Sequence, residues 1–166
     1  MGSSGDEKLF LKILQALNKT PYRVVAVYSN ILKEKKLPEF NENILLKKFV
    51  PSIAQLHKMV DLSITHGGQG TVFTAAYAGK PIIGFPMQYE QHLNLEKIVG
   101  HGSGLMLSNK HFNEIKLIQA INRIFKNYDE FLQNSRNLSQ ILPKPEGDKK
   151  AAQRIMKILA KKQLEK

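Results

Sequence analysis

The sequence runs to 166 residues, is 42% hydrophobic, contains no cysteine and carries a formal net charge of +11. That length suffices for one domain with a core of its own, the lack of cysteine excludes disulfides and thiolate metal sites among these residues, and no apolar run approaches the span of a bilayer. The start, MGSSGDEKLF, has neither the basic nor the apolar region of a secretory signal.

In chain order, Leu9, Phe10, Ile13, Leu14 and Leu17 recur at helical spacing and predict an amphipathic helix over Glu7–Leu17. RVVAVYS (Arg23–Ser29) reads as a buried strand, KEKKLPEFNEN as a charged loop, and ILLKKFV (Ile44–Val50) as a strand stopped by Pro51. Ser52 can cap a short helix through Met59, and LSIT (Leu62–Thr65) is the next strand. Gly70–Ala78 predicts a small-residue helix closed by Gly79 and Pro81. PIIGF is a strand, Glu90–Val99 a helix and GLML a last short strand. From His111 the pattern is helical as far as a break near LPKPEG, and a final helix sets Ala152, Ile155, Met156 and Leu159 on one face. Strands alternating with helices predict an α/β domain, a Rossmann-like parallel sheet with helices on both faces. Ligands bind such sheets beyond the carboxyl ends of the strands, where segments 49–52, 66–71 and 86–91 should meet.

The net charge favours anionic partners, or else describes a lysine-coated, soluble surface. The surplus lies in short clusters (KEKK, LLKK, GDKK, AKKQ), so no nucleic-acid partner is expected. Peripheral contact with anionic lipid stays open, and the location expected is cytoplasmic, with membrane association as a second possibility.

The stretch THGGQGT (65–71) joins a strand to a helix. So much bare backbone suits either a sharp turn serving the fold or a cradle for a phosphate. A helix starting there offers unpaired N–H groups and the positive end of its dipole, glycine lets an anion approach the chain, Thr71 adds a hydroxyl, and His66 can donate to a phosphoryl oxygen. His57, His92, His101 and His111 lack ligand-like partners and read as surface or packing residues, and no cluster has metal spacing.

The run from Phe49 to Leu107 resembles the donor-binding half of GT-B glycosyltransferases, within the UDP-glycosyltransferase superfamily. The matching pieces keep the family's order: aromatic-x-Pro (Phe49–Pro51), a strand opened by Asp61, THGGxGT, GKPxxxxP (79–86), the acid-Gln pair Glu90-Gln91, Asn94, and GxGL (102–105). The resemblance implies a UDP-sugar as co-substrate, no metal or other cofactor, and inverting transfer of a hexose to an acceptor the sequence leaves unnamed. It implies that His66, Gly68, Gln69, Gly70 and Thr71 hold the donor diphosphate, with Ser3 and Ser4 of the GSSG loop facing it. It further implies that Phe49 stacks on the base, with Val50, Ser52 and Thr74 also at the nucleoside, and that Glu90 and Gln91 bind the sugar hydroxyls. From the residues alone, Phe49 also reads as core at a strand end and Glu90 as a dipole-favoured helix start.

Thr74 stands where the family has a ribose-gripping glutamate, and Ser52 where a glutamine is common. These departures support an alternative, a non-catalytic nucleotide-binding or assembly module with a degenerate donor site. A nucleotide-sugar epimerase would need catalytic carboxylates that the sequence does not offer. The expected domain is residues 1–166, with 1–4 open to a second reading as a cloning remnant. The family's first strand has no counterpart, which should leave a gap in the sheet. The acceptor-binding half, with the catalytic base, also has none and is expected in the same or a separate polypeptide, so the isolated chain should be inactive.

Overall fold

A computed structural model describes residues 6–28, 31–32, 38–143 and 146–164, with side chains in the last helix through residue 160. Helix α1 (Glu7–Leu17) starts where the Asp6 carboxylate accepts the Leu9 N–H at 2.9 Å, and it buries the five apolar residues that predicted it. Strand β1 (Val24–Val27) pairs in parallel with β2 (Ile44–Lys47), Val24 opposite Ile44. Asn43, read only as part of a charged loop, staples these pieces: its Nδ2 lies 3.1 Å from the carbonyls of Leu17, Thr20 and Tyr22. Helix α2 (Ile53–Met59) is capped by Ser52, whose Oγ takes the Gln55 N–H at 3.2 Å.

Strand β3 (Ser63–Thr65), helix α3 (Gln69–Tyr77), strand β4 (Ile82–Gly84), helix α4 (Tyr89–Gly100) and strand β5 (Gly104–Met106) follow, as their spacing predicts. The three strands form a parallel sheet with β4 in the middle. Neighbouring β4 residues face opposite ways, as the strand period requires. Ile83 joins the cluster of α1 and α5 (Glu114–Lys126), which includes Leu14, Leu117, Ile121 and Phe85. Ile82 joins Val72 and Ala75 of α3, Leu95 and Ile98 of α4, and Leu138 of α6 (Tyr128–Ile141). Helices thus cover both faces of the sheet, the α/β arrangement expected.

Four features differ from the sequence reading or sharpen it. The strands are short, and β2 ends at Lys47, leaving Lys48 and Phe49 exposed. The helical stretch after His111 breaks at Asn127, whose Nδ2 donates to the Arg123 carbonyl at 2.9 Å; a short amide competing with the backbone ends one helix, and the next starts from the same residue without a side-chain cap bond. The strands fall into two sheets, β1–β2 and β3–β4–β5, and the outer edges of β1 and β3 meet no described strand, in keeping with the expected gap. Helix α7 (Gly147–Leu164) sets Ala152, Ile155, Met156 and Leu159 on one face as predicted, but they are exposed. No helix of the described residues is long and apolar enough to cross a membrane.

Candidate functional site

The three glycines of the turn serve three different purposes. Gly67 has φ +90°, and a Cβ there would lie 2.7 Å from Leu95 Cδ1 and 2.8 Å from the Gln91 carbonyl oxygen, because α4 packs directly on the turn. Gly68 is the N-cap of α3 in ordinary extended geometry, and a Cβ on it would meet His66 Nε2 at 2.6 Å, so its bareness makes room for the imidazole. At Gly70 a Cβ would meet nothing within 4 Å. No atom of the described residues accounts for that glycine.

Helix α3 has no side-chain hydrogen bond at its N-cap, and Val72 is the first residue whose N–H returns to the Gly68 carbonyl, at 2.9 Å. The amides of Gln69, Gly70 and Thr71 therefore lack partners within the helix, at the positive end of its dipole. Gln69 and Gly70 are exposed and Thr71 is half-buried. His66 is buried beside them, 4% exposed. Burial lowers its pKa below the ordinary 6.5, while the Glu90 carboxylate pulls the other way.

Helix α4 brings the sugar-reading candidates to the same turn. Glu90 is exposed in its first turn, and Asn94 Nδ2 donates both to Glu90 Oε1 at 2.6 Å and to the Gly67 carbonyl at 3.0 Å. Gln91 points inward, 1% exposed, and its Oε1 accepts the Met87 N–H at 2.9 Å, shaping the loop between β4 and α4. Of the three segments expected to converge, the second and third are joined by these contacts. In the first, Phe49 is 74% exposed and so is not core. Val50 is half-buried, and Ser52 spends its hydroxyl on α2, which packs against α3. No hydrogen bond among the described residues ties Phe49, Val50 or Ser52 to the turn. The Thr74 hydroxyl lies 2.9 Å from the Gly70 carbonyl and 3.0 Å from that of Thr71, so its proton is committed to its own helix. Ser3 and Ser4 fall outside the described residues.

Asn94 is the residue the sequence reading left without a role. Its spacing of four from Glu90 on a helix was the available signal; its bond to Gly67, 27 positions away, was not visible. Among the remaining histidines, His57 Nδ1 sits 2.8 Å from Ser63 Oγ and His92 Nε2 3.1 Å from Glu96 Oε1, both away from the turn. Among the described residues, no group of three His, Cys, Asp or Glu could hold a metal ion.

Comparison with known proteins gives these features a context. The sequence pattern of the glycosyltransferase family 28 C-terminal domain matches residues 2–155. A PGL/p-HBAD biosynthesis glycosyltransferase of Mycobacterium tuberculosis is 29% identical over 140 residues, 84% of this chain and 32% of that protein. The calicheamicin glycosyltransferase CalG4 superposes with a TM-score of 0.77 at 20% identity, over 96% of this chain and 41% of its own. The spinosyn rhamnosyltransferase SpnG, solved with thymidine diphosphate, gives 0.68 at 20% identity, over 80% and 36%. The chain thus spans about a third of the length of the curated relatives it matches.

Proposed function

The chain belongs to the glycosyltransferase family 28 C-terminal domains, and from that membership we propose that it binds a nucleoside diphosphate sugar, in our reading a UDP-linked hexose, for inverting transfer by a larger assembly. The observation that carries the reading is the start of α3, with three amides that have no partner within the helix and a glycine, Gly70, whose added Cβ would meet no described residue. A diphosphate seated there would meet the N–H groups of residues 69–71, the Thr71 hydroxyl and His66. These groups favour the charge that grows on the leaving diphosphate, so they act in the transition state. A dianion beside His66 favours the imidazolium, which burial alone disfavours. Glu90 would accept hydroxyl hydrogens of the sugar. Gln91, turned inward, would act on the sugar through the loop it holds at Met87. Phe49 is exposed, available to stack on a base.

Inverting transfer needs a base to deprotonate the acceptor. We assign that base and the acceptor site to an N-terminal half, in the same or a separate polypeptide, and this chain alone should bind donor without turnover. Calorimetric titration with UDP tests the reading, with UMP, dTDP and ADP as controls at two salt concentrations. UDP should bind more tightly than UMP and keep most of its affinity at the higher salt, unlike a purely ionic contact. Replacing His66 by Ala should cost about 1.5–3 kcal/mol of UDP binding, the range of a charge-assisted hydrogen bond.

One observation favours a second reading. The Thr74 hydroxyl donates within α3 and offers a ribose only lone pairs, as a degenerate donor site would. Under it UDP and UMP bind alike, and His66→Ala changes nothing.

A further inference from the structure

Asn94 stands at the junction of the two halves of the site. One side-chain amide nitrogen, with two hydrogens, serves Glu90 Oε1 at 2.6 Å and the Gly67 carbonyl at 3.0 Å. The Gly67 carbonyl and the Gly68 N–H belong to one trans peptide and point in opposite directions. Holding that oxygen toward α4 therefore turns the Gly68 N–H away from α4 and fixes the entry to α3. Gly67 needs such a hold, because its φ of +90° comes from a flexible residue and Leu95 fills the space beside it. The residue type is specific: an aspartate would set oxygens against both acceptors, and an aliphatic side chain would leave both unmet.

We infer that Asn94 is a positioning residue that locks the carboxylate of Glu90 to the glycine turn, so that the sugar-reading and diphosphate-reading groups are set by one amide. The coupling to donor rests on the donor-binding reading above; the lock itself rests on geometry alone. A donor site built this way distinguishes a nucleotide sugar from the bare nucleotide through Glu90, while Asn94 acts on both.

The lock can be tested without ligand, by NMR titration of the His66 imidazole, which the Glu90 carboxylate influences. Glu90→Gln should lower the His66 pKa. Asn94→Leu, which keeps a good helix former in α4, should lower it as well, because the released carboxylate swings into solvent. The double variant should go no lower than Glu90→Gln alone. A His66 titration unchanged in Asn94→Leu, with the fold intact by circular dichroism, would overturn the lock, as would fully additive shifts. Calorimetry then reads the coupling: Asn94→Leu should weaken UDP about tenfold and UDP-glucose by more, since it also frees Glu90, whereas Glu90→Gln should weaken only UDP-glucose. Unchanged affinities in Asn94→Leu would overturn the coupling. A wild-type chain that bound neither ligand would overturn the donor reading, and the titration would still decide the lock.

Discussion

At the scale of single residues, the glycine turn shows that one sequence motif can mix structural and functional demands. Gly67→Ala combines a positive φ with overlap on Leu95 and the α4 backbone, so it should destabilise the chain by about 2–5 kcal/mol. Gly70→Ala should do the opposite. Its Cβ meets nothing among the described residues, and alanine is favoured over glycine within a helix by up to about 1 kcal/mol, so stability should hold or rise while UDP affinity falls. Thermal unfolding and calorimetry on these two variants check both signs. A Gly70→Ala variant with unaltered UDP affinity would remove the case for a ligand at that position. His66, Gly68, Gln69, Gly70 and Thr71 were legible as a candidate cradle. Which glycine serves the fold was not, because the answer lies in Leu95 and Gln91, more than twenty positions downstream.

At the scale of elements, the site is held by α4 against the turn after β3. The sequence placed α4 within a residue at either end, since its apolar spacing and charged first turn are local signals. It was blind to the inward turn of Gln91, which follows from how α4 meets the β4 loop. Local competition also explains the break at Asn127, which periodicity ran straight through, because both sides of the break are helical. Helix α7 is the contrasting case: it is long and regular, yet none of its described side chains is buried. Helical stability without tertiary packing is marginal. Removing residues 147–166 should therefore leave the thermal midpoint of the remaining domain within about 2 °C, a shift equivalent to less than 1 kcal/mol. A larger drop would mean that α7 stabilises the domain through contacts other than buried ones.

At the scale of the whole molecule, two parallel sheets share a core, yet each has an edge, at β1 and at β3, that meets no described strand. The N–H groups of Val24 and Tyr28 bond to Asn43 and Lys47 of the β2 side, at 2.8 and 3.0 Å. Alternation along the strand then aims Val25 and Val27 at the open edge of β1. On β3, Ser63 and Thr65 bond toward β4, which aims Ile64 outward. β4, flanked on both sides, is buried throughout. Amide hydrogen exchange should report this asymmetry: Val25, Val27 and Ile64 should exchange at least about 100-fold faster than Ile83. Equal protection would show the two sheets closing on each other in solution.

The sequence by itself determined the order and type of the elements, the parallel α/β class, the family and the position of the glycine turn. All of these follow from short-range periodicity, turn residues and motifs in a fixed order. Only the tertiary structure decided how the functional groups are shared out. It committed the Thr74 hydroxyl to its own helix, turned Gln91 into the loop at Met87, left Phe49 in the open and gave Asn94 hold of both Glu90 and Gly67. The reason is physical. A side chain's hydrogen-bond partner is set by the packing of elements far apart in the chain, and that packing, unlike helix or strand periodicity, leaves no local trace in the sequence.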